Sequence, residues 1–352
     1  QGTVKVEKVD DYTVSFTFPF VTPTAIEMLS QIFIMPEHIY KDVTDFEHND
    51  YNMNSVGTGP YKLVDYQSGS YLKFEANENY YKGEPSIKNV VFQIIENADT
   101  AILALQNGEV DAYQMTPQQV KKLDLDASNL STYSYSEGRV GYLEINCNRV
   151  TDEKVRKALL YAMDRKAMDD AAFESSEYYS IPYTFLPTNS QFYTEDGVEK
   201  YEQDVDKAKS MLEDAGVSGL KLKLGYMSSD AVQSAQALLI QEQLKEVGVT
   251  VELAGGDGTA IANAMKDPDN EYDMYLGGYI MGIDPDTFSS LFENDGAYNY
   301  MHYSGYDTID QLFEEGRSEL DESQRKPMQN CRQLSRIQVP SIRSFPTTRS
   351  WL

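Results

Sequence analysis

The residue types best able to do chemistry are few and scattered. His38, His48 and His302 lie far apart in the chain. A catalytic or metal-bound imidazole needs partners that only a fold could bring to it, so all three read as packed or solvated side chains. Cys147 and Cys331 make neither a metal spacing nor a disulfide framework. The glycine-rich AGGDG at 254–258 lacks the G-x-G-x-x-G spacing and has no Lys-Ser/Thr for a phosphate. It reads as a surface turn. Asp267-Pro-Asp-Asn and Asp284-Pro-Asp offer oxygens to a hard cation, but neither fits the calcium-loop pattern, and both read as turns. Carboxylate pairs of the kind glycosidases use are too frequent in so acidic a chain to single one out. There is no G-x-S-x-G, no H-E-x-x-H and no Cys/His nucleophile pattern. We therefore expect no catalytic residue, no metal and no cofactor. The 26 tyrosines are a different resource. Most should pack with a hydrogen-bonding tip, and a share could line a small-molecule cleft.

The elements that must position such a cleft follow from size and pattern. The chain has 352 residues, more than one core usually serves, so two lobes are expected. Lys and Arg total 30 against 56 Asp and Glu, a net charge of −26. Such a surface repels phosphate backbones and excludes nucleic-acid binding. No run approaches the ~18 apolar residues of a membrane span. Gln1 leads almost directly into strand-like sequence, which we read as a cut edge.

Residues 4–18 alternate apolar and polar around Asp10-Asp11, a hairpin pattern. Residues 61–76 and 88–95 read as further strands. Ala98, Ala101, Ile102 and Leu105 share one helical face, which Gly108 closes. Residues 130–146 are mostly extended. Asp152 opens a helix with inner face Val155, Ala158, Leu159 and Ala162, and Asp204 opens another that stops at Gly216. A β-α-β unit follows: strand 220–226, helix 231–247, Gly248 as cap, and strand 249–253. Strand 272–278 comes next. Strands alternating with helices predict an α/β lobe with a largely parallel sheet.

The last 26 residues differ in kind. From Pro327 to Leu352 there are four Arg and no acidic residue. Pro327 also enters the helix that Ser323 opens, where it removes a backbone donor. One cause would explain both breaks, a reading-frame slip near codon 326; the alternative is a divergent basic tail. On the first reading neither Cys331 nor Trp351 has a role.

These segments also carry a family resemblance. IMPEHIY (34–40), VGTGPYKLVDYQSGSYLKFEANENYYKGEPSIKNVVFQII (56–95), NGEVDAY (107–113), YLEINCN with DEKVRKALLYAMDRKAM (142–168), YEQDVDKAKSMLEDAG (201–216), QEQLKEVGVTVEL (241–253) and YDMYLGGYIMGIDPDTFSSLF (272–292) stand in the same order as in extracellular solute-binding proteins of the oligopeptide, dipeptide and nickel class. The resemblance runs to about residue 326. It implies an α/β, two-lobe periplasmic-binding fold with a hinge, here truncated. Residues 1–135 would be the remainder of the first lobe, 136–146 the hinge strand, 147–326 the second α/β lobe and 327–352 the atypical tail. It implies a monomer outside the cytoplasmic membrane, in the periplasm or as a cell-surface lipoprotein. Such a protein captures a peptide-like or other small polar solute and delivers it to ABC-transporter permease subunits. A secreted hydrolase and a chemosensory receptor on the same fold are the rival readings. The ligand-binding residues expected from the resemblance are Gly59, Gln114, Glu137, Arg139, Tyr142, Tyr279, Met281, Asp284 and Asp286. Arg139 and the two aspartates would be polar anchors, Tyr142, Tyr279 and Met281 the wall, and Gly59 a backbone contact. Peptide-binding members often place a Trp and an Asp where this chain has Tyr279 and Gly282, and some carry an Arg at the position of Leu276. An amine anchor would then have to come from Asp284 or Asp286.

Overall fold

The computed structural model describes residues 3–30, 32–46, 48–54, 56–123, 130–173, 175–280, 284–303, 307–321 and 342–350. For residues 27, 117, 118, 134–138, 177, 307 and 342–350 it describes the backbone alone. Contacts divide the chain into two units. Unit 1 is Gln1–Thr24, Met115–Lys121 and Tyr133–Thr348; unit 2 is Ala25–Gln114, Lys122–Thr132 and Arg349–Leu352.

The expected N-terminal hairpin forms from β1 (Lys5–Lys8) and β2 (Val14–Thr17), paired antiparallel with Lys5 opposite Thr17. In unit 2, β3 (Tyr61–Gln67), β4 (Tyr71–Ala76) and β5 (Asn89–Gln93) make a three-stranded antiparallel sheet. Gly69, at φ +71, allows the tight turn between the first two. The helix Ala98–Gln106 buries Ala101, Ile102 and Leu105 as its spacing predicts. Its first turn is capped by Asn97, whose side chain accepts from the Thr100 amide at 2.9 Å.

The larger sheet has the order β6-β11-β7-β10-β8-β9. Its strands are β6 (Tyr113–Met115), β7 (Tyr133–Ile145), β8 (Lys221–Met227), β9 (Thr250–Gly256), β10 (Met274–Tyr279) and β11 (Ile342–Ser350). β8, β9 and β10 form the expected parallel part, while β7 runs antiparallel to β10. The sheet is therefore mixed, because the β-α-β pattern governs only the strands it connects. The stretch 136–146, expected to be the hinge strand, falls almost wholly in β7, whose residues cluster with unit 1.

Side chains alternate along a strand, so the antiparallel register sorts β7 and β10 into two faces. Leu143, Ile145, Met274 and Leu276 enter the main core with Val155, Ala158, Leu159, Ile240 and Leu244. Three helices around that core begin at carboxylates. Asp152, Asp204 and Asp230 accept from the amides of Lys154, Lys207 and Val232 at 2.7, 2.9 and 2.8 Å. Of the atypical tail 327–352, only the backbone of 342–350 lies within the described residues.

Candidate functional site

In open α/β sheets ligands sit beyond the carboxyl ends of the parallel strands. Those ends are Met227, Gly256 and Tyr279. The register places Val140 opposite Tyr279, so the first half of β7 reaches the same edge. Arg139 lies there. Its Nη2 is 3.7 Å from Oδ2 of Asp230. The other Asp230 oxygen caps the helix Ala231–Glu246, accepting from the amides of Val232 and Gln233 at 2.8 and 3.1 Å. The cap of that helix is thus also the counter-ion of Arg139. Gly278 makes room for the cation, since a Cβ there would stand 2.9 Å from Arg139 Nε.

On the other face of the same two strands, Tyr142 passes over Gly277. A Cβ at Gly277 would meet the Tyr142 ring at 2.5 Å. Tyr142 lies 5.2 Å from Tyr279 and 6.3 Å from Tyr275 between ring centroids, and Tyr275 lies 6.2 Å from Tyr300. Tyr279 donates its hydroxyl to the Phe185 carbonyl at 3.1 Å. Burial, then the neighbouring Glu144, holds the Tyr142 phenol well above its usual range. These rings are a rigid, neutral wall with few rotamers to lose.

The glycines of AGGDG are not a surface turn. Gly255 and Gly256 finish β9, and Asp257 caps the helix Gly258–Met265 by accepting from the Ala260 amide at 2.8 Å. Their smallness serves packing. A Cβ would come within 2.8 Å of the Tyr226 ring at Gly255, and within 2.9 Å of Met227 Sδ at Gly258.

Of the expected ligand residues, Arg139 lies on one face of the sheet near its carboxyl edge, and Tyr142 and Tyr279 lie on the opposite face. Asp284 and Asp286 belong to the next turn. Asp284 caps the 3-10 helix Pro285–Phe288, accepting from the Asp286 amide at 2.9 Å. The Asp286 carboxylate holds Arg317, with Nε 2.9 Å away, and the same guanidinium reaches Glu293 at 2.9 Å. Gly59 and Gln114 belong to unit 2. The Gly59 carbonyl accepts from Asn77 at 3.1 Å, and a Cβ at Gly59 would meet only ordinary contact, so its backbone does not require glycine. The side chain of Glu137, and Met281 entirely, lie outside the described residues. Asp230 and Glu144 were not among the expected residues. The first was legible as the N-cap of a helix beginning at 231, and the second as an acid inside an apolar strand.

A concavity of about 340 Å³ opens elsewhere in unit 1, among Asn148, Lys266, Asn299, Tyr300 and His302, and contains none of the expected residues. Among the described residues no group of three or more His, Cys, Asp or Glu could hold a metal ion, and no helix is long and apolar enough to cross a membrane.

A chain of two compact units, one of them built on a mixed α/β sheet, fits the two-lobe periplasmic-binding proteins. The chain belongs to the bacterial extracellular solute-binding proteins, family 5, whose middle-region model matches residues 1–300. It is 28% identical over 346 residues to the oligopeptide-binding protein AppA of Bacillus subtilis, covering 91% of this chain and 62% of that protein. It is 26% identical over 337 residues to the dipeptide-binding protein of Escherichia coli, with the same coverages of 91% and 62%. The chain thus spans less than two thirds of the length of these curated relatives. The crystal structure of the ABC transporter substrate-binding protein CtaP from Listeria monocytogenes matches 99% of this chain and 72% of its own, with a TM-score of 0.92 and 36% identity.

Proposed function

We propose that this chain is part of the solute-capturing subunit of an ABC importer, working outside the cytoplasmic membrane and handing its solute to permease subunits without chemically changing it. The observation that carries the reading is family membership over residues 1–300. The relatives named as oligopeptide- and dipeptide-binding proteins point to a peptide-like or other small polar solute. Arg139 suits a carboxylate of that solute, with Asp230 holding the guanidinium in place. Tyr142 and Tyr279 supply the wall. With glycine at 282, Asp284 or Asp286 is the carboxylate we assign to a solute amine.

The test is to purify the full-length protein, release its bound small molecules by denaturation and identify them by mass spectrometry. The refolded protein should bind the identified solute in calorimetry and return it unchanged. Chemical turnover of that solute would instead favour the hydrolase reading.

A further inference from the structure

We propose that Glu144 is a proton switch within the aromatic face of unit 1: as the neutral acid it packs among Tyr142, Tyr275, Tyr279 and Tyr300, and on losing its proton it forces that face open to water. The geometry carries this. Glu144 is 6% exposed, and its Oε2 has no hydrogen-bond partner among the described residues. It sits opposite Tyr275 in the β7–β10 register, one pleat from Tyr142. An ionised carboxylate with an unpaired buried oxygen costs several kcal/mol, and a neutral acid much less.

Among the described residues no cation forms an ion pair with Glu144. The titratable neighbours recorded around it are Tyr142 on its own strand, Tyr275 and Tyr279 on β10, Tyr300 in the segment beyond, and Cys147. The nearby guanidinium of Arg139 acts on Tyr275, and that of Arg156 on Cys147. Burial alone raises the Glu144 carboxyl well above the usual range. Water is close at hand: Tyr300, packed on Tyr275, also lines the concavity of about 340 Å³. The device does not depend on which solute the protein binds.

The sign follows from linkage. The folded chain keeps the proton over a pH range in which the unfolded chain has released it. The stability Glu144 contributes is therefore complete below the ordinary glutamate range. It falls as pH rises toward the folded value, by about tenfold in the folding equilibrium per pH unit.

Two measurements on the full chain decide it. Infrared spectra at neutral pH should show the C=O stretch of a protonated carboxyl, absent from Glu144→Gln. Urea midpoints taken from about pH 5 to about pH 8 should fall more steeply for the wild type than for Glu144→Gln. Glu144→Leu, which has no titratable group, serves as the second variant should the amide prevent folding. A spectrum without that band, a band that survives both substitutions, or parallel midpoint curves would overturn the proposal.

Discussion

The ring of Tyr142 occupies the space a side chain would need at Gly277: a Cβ there would stand 2.5 Å from its Cζ and hydroxyl oxygen. Gly277 is extended strand, not a turn, so the glycine is required by its neighbour rather than by its own backbone. Gly277→Ala should cost about 1–3 kcal/mol in chemical denaturation, the usual scale of overpacking. Removing the ring should recover most of that, so the double variant Tyr142→Ala with Gly277→Ala should be more stable than the sum of the two losses. Strict additivity would mean the ring simply moves aside.

Asp230 has two duties that mutations can separate. Asp230→Ala removes a helix cap and should lower stability by about 1 kcal/mol. Arg139→Gln leaves the cap in place, so stability should change little, while affinity for a carboxylate-bearing solute falls by roughly 1.5 kcal/mol or more. Titration calorimetry with the identified solute reads the second effect. Unchanged affinity would leave Arg139 with a structural part only.

The two aspartates after β10 should part ways. Asp286→Asn weakens the hold on Arg317, and its cost should fall between the ~1 kcal/mol of an exposed pair and the ~3 kcal/mol of a buried one. Its effect on solute affinity should be small. Asp284→Asn can still cap the 3-10 turn, so stability should hold. Affinity for an amine-bearing solute should drop by more than ~1 kcal/mol. Calorimetry giving the reverse order would exchange their roles.

The charge break at Pro327 predicts something about the gene. The neighbouring reading frame past codon 326 should encode an amphipathic helix followed by strands. Early stop codons in that frame, with the present frame confirmed by resequencing, would make the basic tail native.

Local rules made much of unit 1 legible. The inner face Val155, Ala158, Leu159 and Ala162 is buried throughout, because one helix packed on one core preserves the 3.6-residue period. The β8–helix–β9 unit follows its turn signals, and Gly248 takes the left-handed conformation, at φ +81. What pattern could not give was partnership across the sequence. The Arg139–Asp230 pair joins positions 91 residues apart. The antiparallel β7–β10 register is a tertiary fact, and the face assigned to Glu144 depends on it. The glycines of 254–258 read as a surface turn in sequence, yet Gly255 is a contact surface for Tyr226, as Gly278 in its strand is for Arg139. Nor could the sequence show that one of the expected residues, Asp286, already has a cation.

The chain passes between its two units at 24/25, at 114/115, at 121/122, at 132/133 and at 348/349. Neither unit is therefore a contiguous stretch of gene. A recombination event with a relative, taken at any single breakpoint, would join half of one unit to the other parent's remainder and leave mismatched packing in at least one core. Viable chimaeras would need paired crossovers, for instance exchanging Ala25–Gln114 together with Lys122–Thr132. Over evolution that constraint favours point substitution within a unit over shuffling whole units.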